Sequence, residues 1–202
     1  MHTLDAITTR RAVKQYDAAF IMPEADIKQL FHCMLQAPTA FNLQHWRFVQ
    51  VEDRQLRAEM RKAAGDQAQV TDASLLLVLC ADTQAWQRNP AHCWRHAPIN
   101  TQDLMLSMIH GFYENQPQLQ RDEAIRSIGM VAQTAMLAAK AMGYDSCPMI
   151  GFDTQRVSEL IQLPDDHVIG MMLTIGKADK EAWPKPGQLS LENVRVLDRF
   201  QR

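Results

Sequence analysis

Glycine is scarce in this chain, with 8 residues in 202, and its scarcity excludes whole classes of function. There is no GxGxxG to bring a dinucleotide pyrophosphate onto a strand–helix turn, no GxxxxGKS/T loop for a triphosphate, and no GxSxG elbow around a serine nucleophile. Cysteine is equally thin. Cys33, Cys80, Cys93 and Cys147 make no CxxC pair and no framework of a small secreted domain, so structural disulfides are not expected. Cys80 lies in an apolar run and reads as a small buried hydrophobe. Long apolar runs are missing too: the longest, Leu75 to Ala81, is far short of the roughly 20 residues that span a bilayer. Neither sign of charge dominates, with Lys plus Arg at 21, Asp plus Glu at 23 and a pI near 6.4, which removes the electrostatic case for a nucleic-acid partner. Met1–Arg11 carries Asp5 and no apolar stretch, unlike a secretory signal. The expectation is a soluble, cytoplasmic protein with no nucleic-acid or membrane partner. At 23.0 kDa and 47% hydrophobic it can bury the core of one ordinary domain.

What is present reads as helices interleaved with strands. Ile27, Leu30, Phe31, Met34 and Leu35 recur at i, i+3, i+4, i+7 and i+8 and predict a helix over Pro23–Gln36. Pro23 suits its first turn, Glu24 and Asp26 suit its positive end, and Pro38 sets its limit. A strand is predicted over Arg47–Val51 and a helix over Asp53–Ala64. Leu75–Cys80, apolar on both faces, predicts a fully buried strand. Asp82–Pro98, rich in Trp, His, Asn and Pro, reads as irregular. Leu104, Met105, Met108, Ile109 and Phe112 then form the inward stripe of another helix. From about Asp122 to Met142 the pattern is apolar nearly all round, as in a helix buried in a large core or a subunit interface, and Gly143 closes it. Strands over Ser146–Met149 and His167–Ile175 flank a helix near Val157–Ile161. In the tail, Glu181–Arg202, the run Trp183-Pro184-Lys185-Pro186-Gly187 excludes regular helix and central strand. Leu189, Leu191, Val194, Val196 and Leu197 follow with no helical cap, and such a tail needs a surface to lie on, for example a partner subunit. No repeat or linker divides the chain, which reads as a single α+β domain over residues 1–202.

Four segments carry candidate chemistry. In Arg10-Arg11-Ala12-Val13-Lys14, an extended backbone puts Arg10, Ala12 and Lys14 on one side, and two cations held together suit a phosphate monoester. In the loop Pro38-Thr39-Ala40-Phe41-Asn42-Leu43-Gln44-His45-Trp46, Asn42 and Gln44 offer donors and acceptors for a polar heterocycle edge. Gln67 and Gln69 precede the buried strand, and Pro148-Met149-Ile150-Gly151 follows a later one. A solvated basic turn, a Trp-anchored turn and surface amides explain each segment taken alone. His92, Cys93 and His96 form a loose constellation without HExxH or a second Cys pair, so no metal is assigned.

Taken in order, these segments resemble the nitroreductase family of flavin mononucleotide (FMN) enzymes. The resemblance spans nearly the whole chain: RRAVKQY, PTAFNLQHW, GDQAQVTDAS, IGMVAQTAMLAAKAMGYDSCPMIGF and the late IGKADKEAWPKP. It implies a mixed, mainly antiparallel sheet flanked by helices, in an interlocked homodimer whose long helix is buried between subunits and whose tails, here 181–202, embrace the partner. FMN lies at the interface. Arg10, Arg11, Ala12 and Lys14 match its phosphate-and-ribityl motif, and Lys185 matches a late basic position on the same phosphate. Pro38, Thr39, Ala40 and Asn42 match the loop lent by the second subunit. Gln67 and Gln69 match contacts to the ribityl chain and pyrimidine edge, and Pro148, Met149, Ile150 and Gly151 match the backbone near flavin N5. The chain departs from the family in four places. Thr39-Ala40 replaces a frequent Ser-Ser, Ala12 a frequent Ser, and Ile150 a frequent acidic residue or Gly, and no second Arg follows Lys185. The implied activity is two-step: NADH or NADPH passes hydride to flavin N5 and leaves, then a small-molecule acceptor such as a nitroaromatic or quinone is reduced. No side chain is assigned as catalytic. Two alternatives keep the cofactor: another reaction of the same family, such as dehalogenation or dehydrogenation, and a non-catalytic flavin-sequestering or redox-sensing protein.

Overall fold

Leu75 to Asp82 is buried along its whole length, and the rest of the fold follows from how that strand is covered. Its odd residues, Leu75, Leu77, Leu79 and Ala81, face one layer of helices, and its even residues, Leu76, Val78 and Cys80, face another. Apolar side chains on both faces require a layer on each, at about 1.5–3 kcal/mol per fully buried large side chain. In the computed structural model, which describes residues 1–200, the elements run α1 (Thr3–Thr9), α2 (Glu24–Met34), a 3-10 turn (Ala40–Asn42), β1 (Trp46–Gln50), α3 (Arg54–Ala63), α4 (Gln69–Asp72) and β2 (Leu75–Asp82). They continue with α5 (Ala85–Arg88), α6 (Pro90–Cys93), α7 (Ile99–Tyr113), α8 (Pro117–Ala141), β3 (Asp145–Met149), α9 (Thr154–Leu160), β4 (His167–Gly176) and α10 (Leu191–Val194).

The strands form one sheet in the order β1-β2-β4-β3, each pair antiparallel. A parallel bridge from Ala12 to Ser146 attaches the segment after α1 to β3. On one face α8 contributes Ile128, Val131, Ala132, Ala135 and Ala139, with Leu30 and Met34 of α2. On the other, Met60 of α3 and Val157 of α9 join Val70, Cys147 and Met149. Between Leu79 and Cys80 the register with β4 slips, and Gly170 sits at the slip. A Cβ on Gly170 would come within 2.9 Å of Ile128 Cβ, so the approach of α8 to β4 depends on hydrogen there.

Local signals set most boundaries. The Asp53 carboxylate accepts the Leu56 N–H at 2.7 Å, and that of Asp153 accepts the Arg156 N–H at 2.9 Å, capping α3 and α9. Gly143, with φ of +82°, ends α8 while the Tyr144 N–H reaches the Ala139 carbonyl. Several expectations are corrected. The long helix begins at Pro117, a good first-turn residue, and not near Asp122. One of its flanks, including Ile125, Gly129 and Gln133, is open in a single chain, so of the two coverings expected for it the core of one chain supplies only part. The α7 stripe is turned differently: Ile109 and Tyr113 go inward against Leu43, Trp86 and Phe41, whereas Leu104, Met108 and Phe112 are exposed. The stretch 82–98 is not wholly irregular, since α5 and α6 each make one turn, and the tail contains the single turn α10 behind Ser190. Residues 201–202 of that tail lie outside the described residues. Four cysteines are free, and no helix among the described residues is long and apolar enough to cross a membrane.

Candidate functional site

The segment after α1 is extended and crosses from the edge of β3 to the chain just beyond β4. The Val13 N–H bonds the Ser146 carbonyl at 3.1 Å, the Asp17 N–H the Lys177 carbonyl at 2.9 Å, and the Asp179 N–H the Gln15 carbonyl at 3.0 Å. Buried Tyr16 pins it, with its hydroxyl 3.2 Å from both the carbonyl and the Oγ1 of Thr174. Burial pushes the Tyr16 pKa far above its ordinary value, so this anchor stays neutral. Extended geometry then sorts the side chains. Val13 is buried with Tyr16 and Ala73, while Ala12 and Lys14 face a cleft shared with Gln15 and residues 180–183. Arg11 lies on the opposite side, where its Nη1 donates at 2.9 Å to the carbonyls of Thr8 and Arg10 at the end of α1. Arg10 and Lys14 have no ion-pair partner among the described residues. Both bear on Cys147, whose thiol pKa is raised by burial against their opposing pull. Ala182 packs under the segment, which leaves exposed Lys185 three residues further on.

The other end of β3 meets the glutamines. Gln67 Nε2 donates to the carbonyls of Ala64 at 2.9 Å and Gly151 at 3.0 Å, and Gln67 Oε1 accepts from Gln69 Nε2 at 3.0 Å. Gln67 has thereby used both amide hydrogens, and buried Gln69 keeps one N–H and its Oε1 without a protein partner among the described residues. Met149 is buried, Pro148 is half-buried, and Ile150 is 78% exposed at the strand end. Arg10, Ala12, Lys14, Gln67, Gln69 and 148–151 therefore share one edge of the sheet. Two cations at one end and amide groups at the other match the chemistry of a phosphorylated heterocycle.

Pro38, Thr39, Ala40 and Asn42 do not join them. They precede β1, and β1 and β3 are opposite edges of a four-stranded sheet, about 14 Å apart at about 4.8 Å per strand. This loop is strained: Phe41, Asn42 and Gln44 have φ of 51°, 54° and 50°, a left-handed conformation costing about 1 kcal/mol or more apiece. Side chains brace it. Thr39 Oγ1 accepts the Gln44 N–H at 3.0 Å, Asn42 Nδ2 donates to the Cys93 carbonyl at 2.9 Å, and Trp94 Nε1 donates to the Phe41 carbonyl at 2.9 Å.

Two features beside this loop escaped the sequence reading. His45 is buried with Nδ1 3.1 Å from Ser127 Oγ of α8, and the Ser127 hydroxyl donates to the Glu123 carbonyl at 2.9 Å. Desolvation lowers the His45 pKa to about 4 and Arg47 adds to the drop, against the opposing pull of Glu123 and Asp82, so the ring is neutral. Asp82, wholly buried, meets Arg47 Nη2 at 3.1 Å and Arg88 Nε at 2.7 Å. A signal for the second existed: an acid that closes a fully buried strand must find a cation. His92, Cys93 and His96 line a cavity with arginines, and no three His, Cys, Asp or Glu side chains cluster at metal-binding spacing among the described residues.

Comparison with known proteins shows the family and the fold. The Nitroreductase family profile matches residues 7–177. Protein DrgA of Synechocystis sp. is 49% identical over 204 residues, covering 98% of this chain and 97% of that protein. MhqN of Bacillus subtilis, whose name gives it as an NAD(P)H nitroreductase, is 35% identical over 183 residues, covering 87% of this chain and 88% of that protein. A solved structure from Exiguobacterium sibiricum in complex with FMN superposes with a TM-score of 0.90 at 25% identity, covering 97% of each chain.

Proposed function

The chain belongs to the nitroreductase family, and from that premise we propose that it is an FMN-dependent oxidoreductase that takes electrons from NADH or NADPH and delivers them to a small-molecule acceptor such as a nitroaromatic or quinone. The observation that carries this reading is the β3 edge, where Arg10 and Lys14 stand at one end with no ion-pair partner among the described residues and the Gln67–Gln69–Gly151 relay stands at the other. FMN, when bound, supplies the two-electron carrier that no side chain of the protein provides. Arg10 and Lys14 hold its phosphate and ribityl end, with Ala12 offering backbone at close range and Lys185 closing from the tail. The uncommitted amide groups of Gln69 orient the pyrimidine edge. Lys14 also favours the negative charge that accumulates on a reduced flavin. The backbone of Pro148–Gly151 passes along the reacting face, with Met149 packed beneath it.

The site takes two chains. Pro38, Thr39, Ala40 and Asn42 stand at the far edge of their own sheet, so they serve the site of a second copy. The open flank of α8 and the exposed tail residues Trp183, Leu191, Leu197 and Phe200 give that copy an apolar surface to cover. The deciding experiment is an absorbance spectrum of the purified protein before and after anaerobic NADH or NADPH. Flavin bands that bleach are the expected result; bands that persist would reject the donor, and a colourless protein that takes up no added FMN would reject the cofactor.

A further inference from the structure

A second cavity opens beside the strained loop, away from the β3 edge to which the FMN phosphate is assigned. It has a volume of about 400 Å³ and is lined by Arg47, Arg88, Arg95, His92 and His96 together with Asn42 and its neighbours. No acidic side chain lines it, although acids outnumber Lys and Arg in the chain. Part of this charge has a structural explanation. Buried Asp82 needs a cation, and it fixes both Arg47 and Arg88; Arg88 also pairs with Asp166, whose other oxygen meets His167 Nδ1 at 2.6 Å. Arg95 is not explained in this way. Its Nη1 donates to the His92 carbonyl at 2.7 Å, and it has no acid within ion-pair distance among the described residues. Arg95 and Arg47 line the same cavity, and both pull down the Cys93 thiol pKa against the rise that burial gives it.

Arg95, with no ion pair among the described residues, stands beside the remaining N–H groups of Arg47 and Arg88, whose charge is met by Asp82 and Asp166, and together these form a donor set suited to an oxyanion. The space exceeds what a bare inorganic ion fills and lies in the range of small-molecule sites. Asn42 belongs both to this cavity and to the loop assigned above to the FMN of the second copy. We propose that the cavity is an oxyanion subsite for a reacting partner of the flavin, taking a carboxylate or phosphate carried by the electron acceptor or by the nicotinamide donor. The inference rests on the oxidoreductase reading above for the identity of that partner.

The test uses the FMN-loaded protein and Arg95→Gln, a change at an exposed side chain that leaves the Asp82 pairs intact. Two matched pairs of probes differ in one oxyanion: 4-nitrobenzoate against 4-nitrobenzamide, and NADPH against NADH. Binding is read by calorimetry and turnover by initial rates. The expected result is that the native protein prefers the charged member of one pair by about tenfold, the effect of one charge-assisted hydrogen bond, and that Arg95→Gln abolishes this preference while Arg95→Lys keeps part of it. Loss within the nitro pair assigns the subsite to the acceptor, and loss within the nucleotide pair assigns it to the donor. If neither preference depends on Arg95, the subsite is overturned. Turnover of 4-nitrobenzamide with NADH reads the oxidoreductase assignment separately, and if it is absent the calorimetric arm still decides the subsite.

Discussion

The two edges of the sheet are built by different means. At the β3 edge the basic segment is extended, bonded backbone to backbone with β3 and the chain after β4, and contains no left-handed residue from 10 to 16. At the β1 edge three left-handed residues in four are held by side-chain hydrogen bonds, from Asn42 Nδ2 to the Cys93 carbonyl and from Trp94 Nε1 to the Phe41 carbonyl. The first arrangement is continuous with the core and inherits its stability. The second stores strain and persists only while α6 and Trp94 brace it. Under the proposed function the difference implies a division of labour: the β3 edge would supply affinity through charge, and the β1 edge would supply shape. Because the brace is also the wall of the arginine cavity, whatever occupies that cavity acts on the loop.

The largest effect should come from removing the charge at the β3 edge. Arg10→Ala with Lys14→Ala should weaken FMN binding by about a hundredfold, one order for each lost charge-assisted contact, in a fluorescence titration. Thermal stability should change little, because neither side chain is paired in the protein. Full flavin occupancy in the double variant would remove the phosphate assignment. The next break tests whether the two edges of one chain can serve one site. Ile125→Arg puts a cation on the open flank of α8, where it has water on one side only if the chain stays single. Sedimentation should show monomers, and these should lose FMN because the loop of the second copy is gone. Monomers that hold FMN fully would mean that one chain suffices.

A third effect separates the edges by pH. His45, just behind the strained loop, is neutral and buried, with its folded-state pKa lowered to about 4 from the ordinary 6.5. Between those values the unfolded chain binds the extra proton and the folded protein does not. The contribution is therefore whole above pH 6.5 and is lost progressively as pH falls towards 4, reaching about 3 kcal/mol at 1.36 kcal/mol per pH unit. Melting of native protein against His45→Gln from pH 7 to 4 should show a steeper acid loss in the native protein. Parallel curves would assign the acid sensitivity to carboxylates elsewhere.

Much of this was legible before any coordinates, and the exceptions share a cause. Leu75–Cys80 announced a doubly covered strand because no partner is needed to see that both faces are apolar. Arg10, Ala12 and Lys14 announced a shared side because alternation is local. α8 lost its first turn because Gln118, Gln120 and Arg121 hide the period, although Pro117 marked the start. The inward face of α7 is not legible in the sequence because the helix is apolar on two sides, and only its neighbours decide which faces inward. His45 and Asp82 depend on Ser127, Arg47 and Arg88, partners 82, 35 and 6 residues away. Spacing of that kind says that a partner is needed but does not name it. The same holds for the proposed pairing of loop 38–42 with residues of a second chain, which rests on family resemblance and has no signature in the spacing.

The smallest break is at the brace itself. Asn42→Ala deletes the donor to the Cys93 carbonyl and puts a residue with less tolerance for φ near 54° into the same turn. A side-chain hydrogen bond of this kind contributes about 1 kcal/mol, so the melting temperature should fall by about 2–4 °C for a chain of this length. The comparison is sharpened by Asn42→Gly, which loses the same hydrogen bond but accepts the left-handed backbone without penalty. If the β1 edge is held by strain balanced against a brace, the glycine variant should recover part of the loss in stability. It should still bind FMN less well than the native protein, because a loop that no longer needs its brace no longer has one preferred shape. Equal melting temperatures for the two variants would mean that the left-handed turn is unstrained and that hydrogen bonding alone shapes this edge.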